Sequence, residues 1–146
     1  LTDVTGVQTC ALPICVALLL TLPYYFTVWS LGPVDHGAVW SGYLGLLLMS
    51  GAYISIGILA SCLTNNQIVA FLLALFTGLF LHLIFGFLSS YMSGTLALAV
   101  NYFSLSGHFE SISRGVIDSK DIIYFLSIIF LGTVFAEAIL VKRSAS

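Results

Sequence analysis

VWSGYLGLLLMSGAYISIGILASCL (39–63), TNNQ (64–67) and IVAFLLALFTGLFLHLIFGFL (68–88) form the stretch that decides the fold. Neither apolar run contains Asp, Glu, Lys or Arg. Each run is about as long as a helix that crosses a ~30 Å hydrocarbon layer. The polar residues between them suit a tight turn, and their Thr and Asn side chains can cap the following helix. The stretch therefore predicts an antiparallel helical hairpin in a membrane.

Two further apolar segments flank this hairpin, at residues 15–31 and 119–141. Hydrophobic residues make up 60% of the 146-residue chain and charged residues only 7%, with a mean hydropathy of +1.11. So few charges cannot keep such a surface in water. The composition predicts an all-α, polytopic helical membrane protein with four transmembrane helices, at about 15–31, 39–63, 68–88 and 119–141.

Residues 89–118 are too polar to span a membrane, yet they keep regularly spaced apolar side chains. Phe109, Ile112 and Val116 share one face of a helix, which predicts one or two short amphipathic helices at, or dipping into, the outer membrane surface. Glu110 and Arg114 are four residues apart in the favourable order. Asp118 repeats the spacing, so these three residues predict a charged brace; recognition of a polar substrate headgroup is the alternative role.

Charges near the last span suggest an orientation. Asp118, with Asp121 three residues later, is typical of an N-cap followed by an acidic first turn. Lys142 and Arg143 end the segment and predict a cytoplasmic C-terminus. Glu137 lies about one turn before them and is expected to be an interfacial charge. Counting back, the 64–67 turn is expected in the cytoplasm, and the 32–37 loop and residues 89–118 outside.

Small residues recur every fourth position in the third segment, with one histidine among them: Ala70, Ala74, Gly78, His82 and Gly86. Because small residues let helices approach closely in lipid, this stripe predicts a helix-packing seam. His82 is the one titratable group expected near mid-membrane, where ionisable groups are functional candidates. A neutral His82 hydrogen-bonded across the seam is the plainer interpretation, and His36 and His108, placed at the outer face, offer it no second metal ligand.

Several function classes lack their sequence signals. The chain has no GxxxxGK[ST] phosphate-binding loop and no HExxH, GxSxG or CxxC motif. It has no basic patch for nucleic acid, since it contains only four Lys and Arg residues. We therefore expect a protein that is not an enzyme, without a cofactor, metal or catalytic residue of its own.

The first fourteen residues are unusual. Val4–Ile14, VTGVQTCALPI, is what one reading frame of a common sequencing adaptor encodes. We expect residues 1–14 to be an artefact of this kind, and residues 15–146 to be a C-terminal fragment of a longer protein.

Five stretches together resemble the ABC-2 type transporter permeases, and most closely the gliding-motility-associated permease group of bacteria. They are GPVDHGA (32–38), SGYLGL (41–46), IGILAS (56–61), TNNQIVAF (64–71) and HFESISRGVID (108–118). The resemblance implies a six-helix subunit, of which helices three to six are present, with re-entrant outer helices at 89–118. It also implies a second permease subunit, homo- or heterodimeric, and a separate ATPase subunit that hydrolyses ATP, in the bacterial inner membrane.

Two other functions stay open at this stage. A non-transporting structural subunit of a motility or secretion complex would have the same sequence features. A secondary transporter would need an ion-coupled charge within the membrane, for which His82 is the available group.

Overall fold

The architecture is helical throughout the described chain. A computed structural model describes residues 2–145, with the side chains of residues 2–7 and 9 excepted, so part of the 1–14 segment lies outside the described residues. The helices are α1 (Thr2–Leu31), α2 (His36–Leu63), α3 (Gln67–Leu79), α4 (Phe85–Tyr91), α5 (Thr95–Tyr102), α6 (Leu105–Ser113) and α7 (Ser119–Ser144). A π-helical turn at Phe80–Ile84 joins α3 to α4 without a break. No strand occurs between residues 2 and 145, which confirms the all-α fold class.

Four helical stretches are long and apolar enough to cross a membrane: Cys10–Leu31, His36–Leu63, Gln67–Tyr91 and Ser119–Ser144. They match the four predicted spans and extend each by a few residues. The chain is therefore a multi-pass membrane protein. Most apolar side chains on their outward faces are exposed, as expected where lipid replaces water.

Side-chain caps set the ends of these helices. Asp35 accepts hydrogen bonds from the backbone N–H groups of Gly37 and Ala38 at the start of α2. Asn66 accepts from Ile68 N at the start of α3, at 3.0 Å. The predicted capping of the hairpin turn is thus confirmed, because a polar oxygen satisfies an N–H group that has no partner within the helix.

The core lies where α2, α6 and α7 meet, with Ala52, Leu105, Ile112 and Phe125 fully buried. Two of these four side chains come from α6. The apolar face of α6 therefore packs against α2 and α7. The α5 side chains Leu96 and Leu98, by contrast, are exposed.

A glycine with a positive φ angle lies on each side of the pair of short helices α5 and α6. Gly94 has φ +77° before α5, and Gly115 has φ +86° after α6. Side chains other than Gly rarely adopt this region. Helix α6 therefore ends at Ser113, and Val116, expected on the same buried face as Ile112, is exposed.

Asp118 begins the last span, as predicted. Its Oδ1 accepts from Lys120 N at 3.4 Å, and its Oδ2 lies 3.1 Å from Lys120 Nζ. Hydrogen bonding from the Lys120 side chain, and then from its backbone N–H, holds the pKa of Asp118 below its usual range. Because the folded-state pKa is lowered, this contribution to stability is present at neutral pH and is lost as the pH falls through that pKa.

Replacing Asp118 with Ala should therefore lower the melting temperature, since the first turn of α7 loses its cap. Asp118→Asn keeps a capping oxygen and serves as the matched control. Melting is measured in detergent micelles at neutral pH. Equal melting temperatures for the Ala variant and the wild type would contradict the capping role.

Candidate functional site

A buried, hydrogen-bonded pair of side chains joins α6 to α7. His108 Nδ1 lies 2.6 Å from Asp121 Oδ1, and the two side chains are 6% and 1% exposed. Among the residues whose burial is described, Asp121 is the only buried side chain of the Asp, Glu, Lys and Arg type. Its second oxygen, Oδ2, is also buried and has no hydrogen-bond partner among the described residues. A buried carboxyl group needs a close polar partner, and His108 supplies it for Oδ1.

The other ring nitrogen of His108 faces the turn between α5 and α6. Nε2 lies 2.8 Å from the backbone oxygen of Tyr102. Because a carbonyl oxygen only accepts, Nε2 carries a proton and donates it. His108 therefore links the α5–α6 turn on one side to α7 on the other.

Two tyrosines enclose the histidine ring. The Tyr124 ring stacks on it with centroids 4.0 Å apart, and the Tyr102 ring meets it edge-on at 5.4 Å. The Tyr124 hydroxyl donates to the backbone oxygen of Phe103 at 2.6 Å. Side chains from α6 and α7 thus satisfy two consecutive carbonyls of one turn, which fixes the turn against the start of α7.

Local sequence explains how the pair forms. Ser104 Oγ accepts from Gly107 N and starts α6, so His108 lies in the first turns of that helix. Gly115 lets the chain reverse, and Asp118 then starts α7. Asp121 was predicted only as an acidic residue complementing the helix dipole. In the folded chain it also faces back toward α6 and meets His108.

His82, the predicted mid-membrane candidate, lies within the π-helical turn. Its backbone oxygen accepts from Ser106 Oγ at 3.0 Å, and Ser106 in turn contacts Ser104 Oγ at 2.8 Å. A π turn removes carbonyls from the regular hydrogen-bond ladder, so a side chain from α6 can bond one of them. The His82 Nδ1 atom is buried and has no partner among the described residues.

A cleft of about 240 Å³ lies beside this turn, between the third span and α6. Its lining includes His82, Gly86, Ser90 and Ser106. The hydrogen bond that joins this turn to α6 thus runs from Ser106 to the His82 backbone oxygen.

The stripe expected to form a packing seam lies on the more protected side of the third span. Gly78 is buried against Tyr53 of α2, and Gly86 lies against Ser104 and Ser106 of the α6 start. Ala70, Ala74 and His82 are partly buried, whereas most of the intervening side chains are exposed. Before the π turn the stripe faces α2, at Gly78, and after the turn it faces the start of α6, at Gly86.

A close helix contact outside this stripe lies between α2 and α7. A Cβ atom at Gly132 would come within 2.9 Å of Ser55 Cβ and Oγ, and one at Gly51 within 2.9 Å of Ile129 Cδ1. Gly132 was missed because α7 has no repeating stripe of small residues. Its position in the middle of a long apolar helix was the available signal.

The predicted charged brace forms only in part. Arg114 Nη2 donates to Glu110 Oε1, and both side chains are well exposed. The predicted pairing of Arg114 with Asp118 is wrong, because α6 ends at Ser113 and Asp118 bonds Lys120 instead. Glu137, the expected interfacial charge, is exposed on α7.

Replacing Arg114 with Ala should change the free energy of unfolding by only about 0.3–0.5 kcal/mol, the usual contribution of an exposed i,i+4 pair. The measurement is reversible unfolding in mixed detergent micelles, with Glu110→Gln as the matched variant. A loss near 2 kcal/mol would show that the pair braces the fold after all.

No group of three or more His, Cys, Asp or Glu side chains that could hold a metal ion occurs within the described part of the chain. Comparison with protein families, with curated proteins and with solved structures finds no match.

Proposed function

We propose that the chain is a permease subunit of an ATP-driven transporter of the ABC-2 type. The observation that carries the proposal is the order of elements: three apolar spans, the two short helices α5 and α6, and a last span. The five sequence stretches that resemble these permeases lie in the loop before α2 and the start of α2, in the hairpin, and in α6 with the turn after it. Such a subunit forms the substrate path, while a separate subunit hydrolyses ATP.

The mechanism of such a subunit is conformational. ATP binding to the partner ATPase would favour one arrangement of two permease subunits over another, because ATP has different affinities for the two states. Helices α5 and α6 would lie where the path leaves the membrane. The location in this proposal is the bacterial inner membrane, with Lys142 and Arg143 at a cytoplasmic C-terminus.

A polar groove on this surface supports a role for α6 in contact with a substrate. Asn101, Glu110, Ser111 and Arg114 line a groove of about 380 Å³. Because the Glu110–Arg114 pair is exposed, Arg114 is available to a polar headgroup. Arg114→Ala that lowers transport without lowering stability would favour such recognition over a bracing role.

Purification from native membranes tests the proposal. A tag on the C-terminus allows the chain to be isolated in mild detergent, with an unrelated four-span protein carrying the same tag as control. We expect a subunit with a phosphate-binding loop to co-purify and ATP hydrolysis to persist through size-exclusion chromatography. A stable complex without ATP hydrolysis would contradict it and favour a structural subunit of a motility or secretion complex.

A fusion of green fluorescent protein after Ser146 tests the orientation separately. Fluorescence in bacterial cells is expected if the C-terminus is cytoplasmic, because green fluorescent protein becomes fluorescent in the cytoplasm. An active alkaline phosphatase fusion at the same point, without fluorescence, would place the C-terminus outside.

A further inference from the structure

The hydrogen bonds of His108 fix the number of protons that the pair holds. Nε2 carries one, because Tyr102 O can only accept. The 2.6 Å contact between Nδ1 and Asp121 Oδ1 needs another, since two facing lone pairs would repel at that distance. The pair therefore holds two protons and has zero net charge. This holds whether it is an imidazolium with a carboxylate or an imidazole with a carboxylic acid.

We propose that His108 and Asp121 form a proton-binding site that fastens α6 to α7, with the proton between Nδ1 and Oδ1 as its ligand. When this proton leaves, its N–H or O–H bond breaks, the proton passes to water, and the pair is left with one negative charge. The remaining ring proton can face Tyr102 O or Asp121, but not both. One of the two hydrogen bonds of His108, to Tyr102 O or to Asp121 Oδ1, is then lost, and a ring nitrogen lone pair faces an oxygen lone pair in its place.

A third proton is also unfavourable in this site. It would have to bind Asp121 Oδ2, because Oδ1 accepts from Nδ1–H. Oδ2 is buried without a partner, and the pair would then carry a buried net positive charge. The contact between α6 and α7 is therefore most stable when the pair holds two protons, and it weakens when a proton is lost or gained. The contact is for this reason sensitive to pH.

The surroundings contribute few other charges. The titratable groups that face the pair or its packing elements are Tyr102 on α5, Tyr124, Lys120 and Asp118 at the start of α7, Tyr53 on α2, and His82 on the π turn. Lys120 and Asp118 pair with each other at 3.1 Å. A phenol in water titrates near pH 10. Below that range His82 is the other histidine next to the start of α6, and the Asp121→Asn variant leaves it unchanged, so a step that this variant loses belongs to the His108–Asp121 pair.

Hydrogen–deuterium exchange of the full chain in lipid nanodiscs tests this site. Protection of the amides in residues 95–113 is expressed relative to the intrinsic exchange rate, which removes the trivial pH dependence of exchange. The pH is scanned from about 3 to about 10, which brackets the ordinary values of Asp and His. We expect protection to fall by about tenfold or more as the shared proton is lost.

Asp121→Asn is the decisive variant. Its amide N–H can donate to Nδ1 of a neutral imidazole while Nε2–H still donates to Tyr102 O, so both links survive without a shared proton. Its protection should stay within about twofold at the high-pH end, where the wild type has lost it. This inference does not depend on the transport function.

His108→Asn provides a second variant if the first does not fold. Its amide can donate to the Asp121 carboxylate but cannot also reach Tyr102 O, so protection should be low at every pH and show no step. Constant wild-type protection across the scan would overturn the proposal. A step of equal size in Asp121→Asn or in His108→Asn would overturn it as well.

Discussion

His108→Ala should destabilise the protein by about 3 kcal/mol or more. The substitution leaves Asp121 buried with neither oxygen paired, removes the donor to Tyr102 O, and opens a cavity beside the Tyr124 ring. Breaking a buried pair by removing one partner typically costs about 3–5 kcal/mol. The expected result is a much lower free energy of unfolding in mixed micelles, together with faster exchange of the α5–α6 amides.

His36→Ala is the matched control for this prediction. His36 is exposed at the start of α2, where its Nδ1 contacts the Tyr25 hydroxyl. Its loss should cost about 1 kcal/mol or less, the usual contribution of one accessible hydrogen bond. Equal losses in the free energy of unfolding for the two substitutions would contradict a stabilising role for the buried His108–Asp121 pair.

Gly132→Leu should disrupt the packing of α2 against α7. Even the first added carbon would lie 2.9 Å from Ser55 Cβ and Oγ and 3.3 Å from the Ser55 carbonyl carbon. Backbone cannot move aside as a flexible side chain can, so the helices must separate. Overpacking costs about 1–3 kcal/mol for small additions, so we expect about 1–2 kcal/mol for Gly132→Ala and at least about 3 kcal/mol for Gly132→Leu.

Gly57 offers a control on the same helix pair. A Cβ atom at Gly57 of α2 would meet nothing within 4 Å. Gly57→Ala should therefore be neutral or slightly stabilising, because Ala favours a helix over Gly. Similar losses for the Gly132 and Gly57 series would contradict the close approach of α2 and α7.

Apolar run lengths and capping residues were enough to predict the spans from the sequence. The 64–67 turn, the Asp118 cap and the presence of short helices within 89–118 all follow from local signals. The packing of α6 does not, because a face with Phe109 and Ile112 suits a membrane surface as well as a protein surface. Only the tertiary fold decides between them.

The contact between His108 and Asp121 could not be predicted from the sequence. His108 and Asp121 are separated by a helix end, Gly115 and a helix cap, so no fixed spacing brings them together. A carboxylate at the start of an apolar helix does need a partner, and His108 is the titratable group that the turn carries back to it. The π turn at His82 likewise has no sequence signal, because its residues are ordinary helix formers in lipid.

The coupling between His108 and Asp121 is the central claim, and a double-mutant cycle tests it most directly. The free energies of unfolding of His108→Ala, Asp121→Ala and the double variant are compared with the wild type. Residues in direct contact show interaction energies of about 0.5–3 kcal/mol, and we expect the upper half of that range here. Effects that add within about 0.3 kcal/mol would contradict a clamp between α6 and α7.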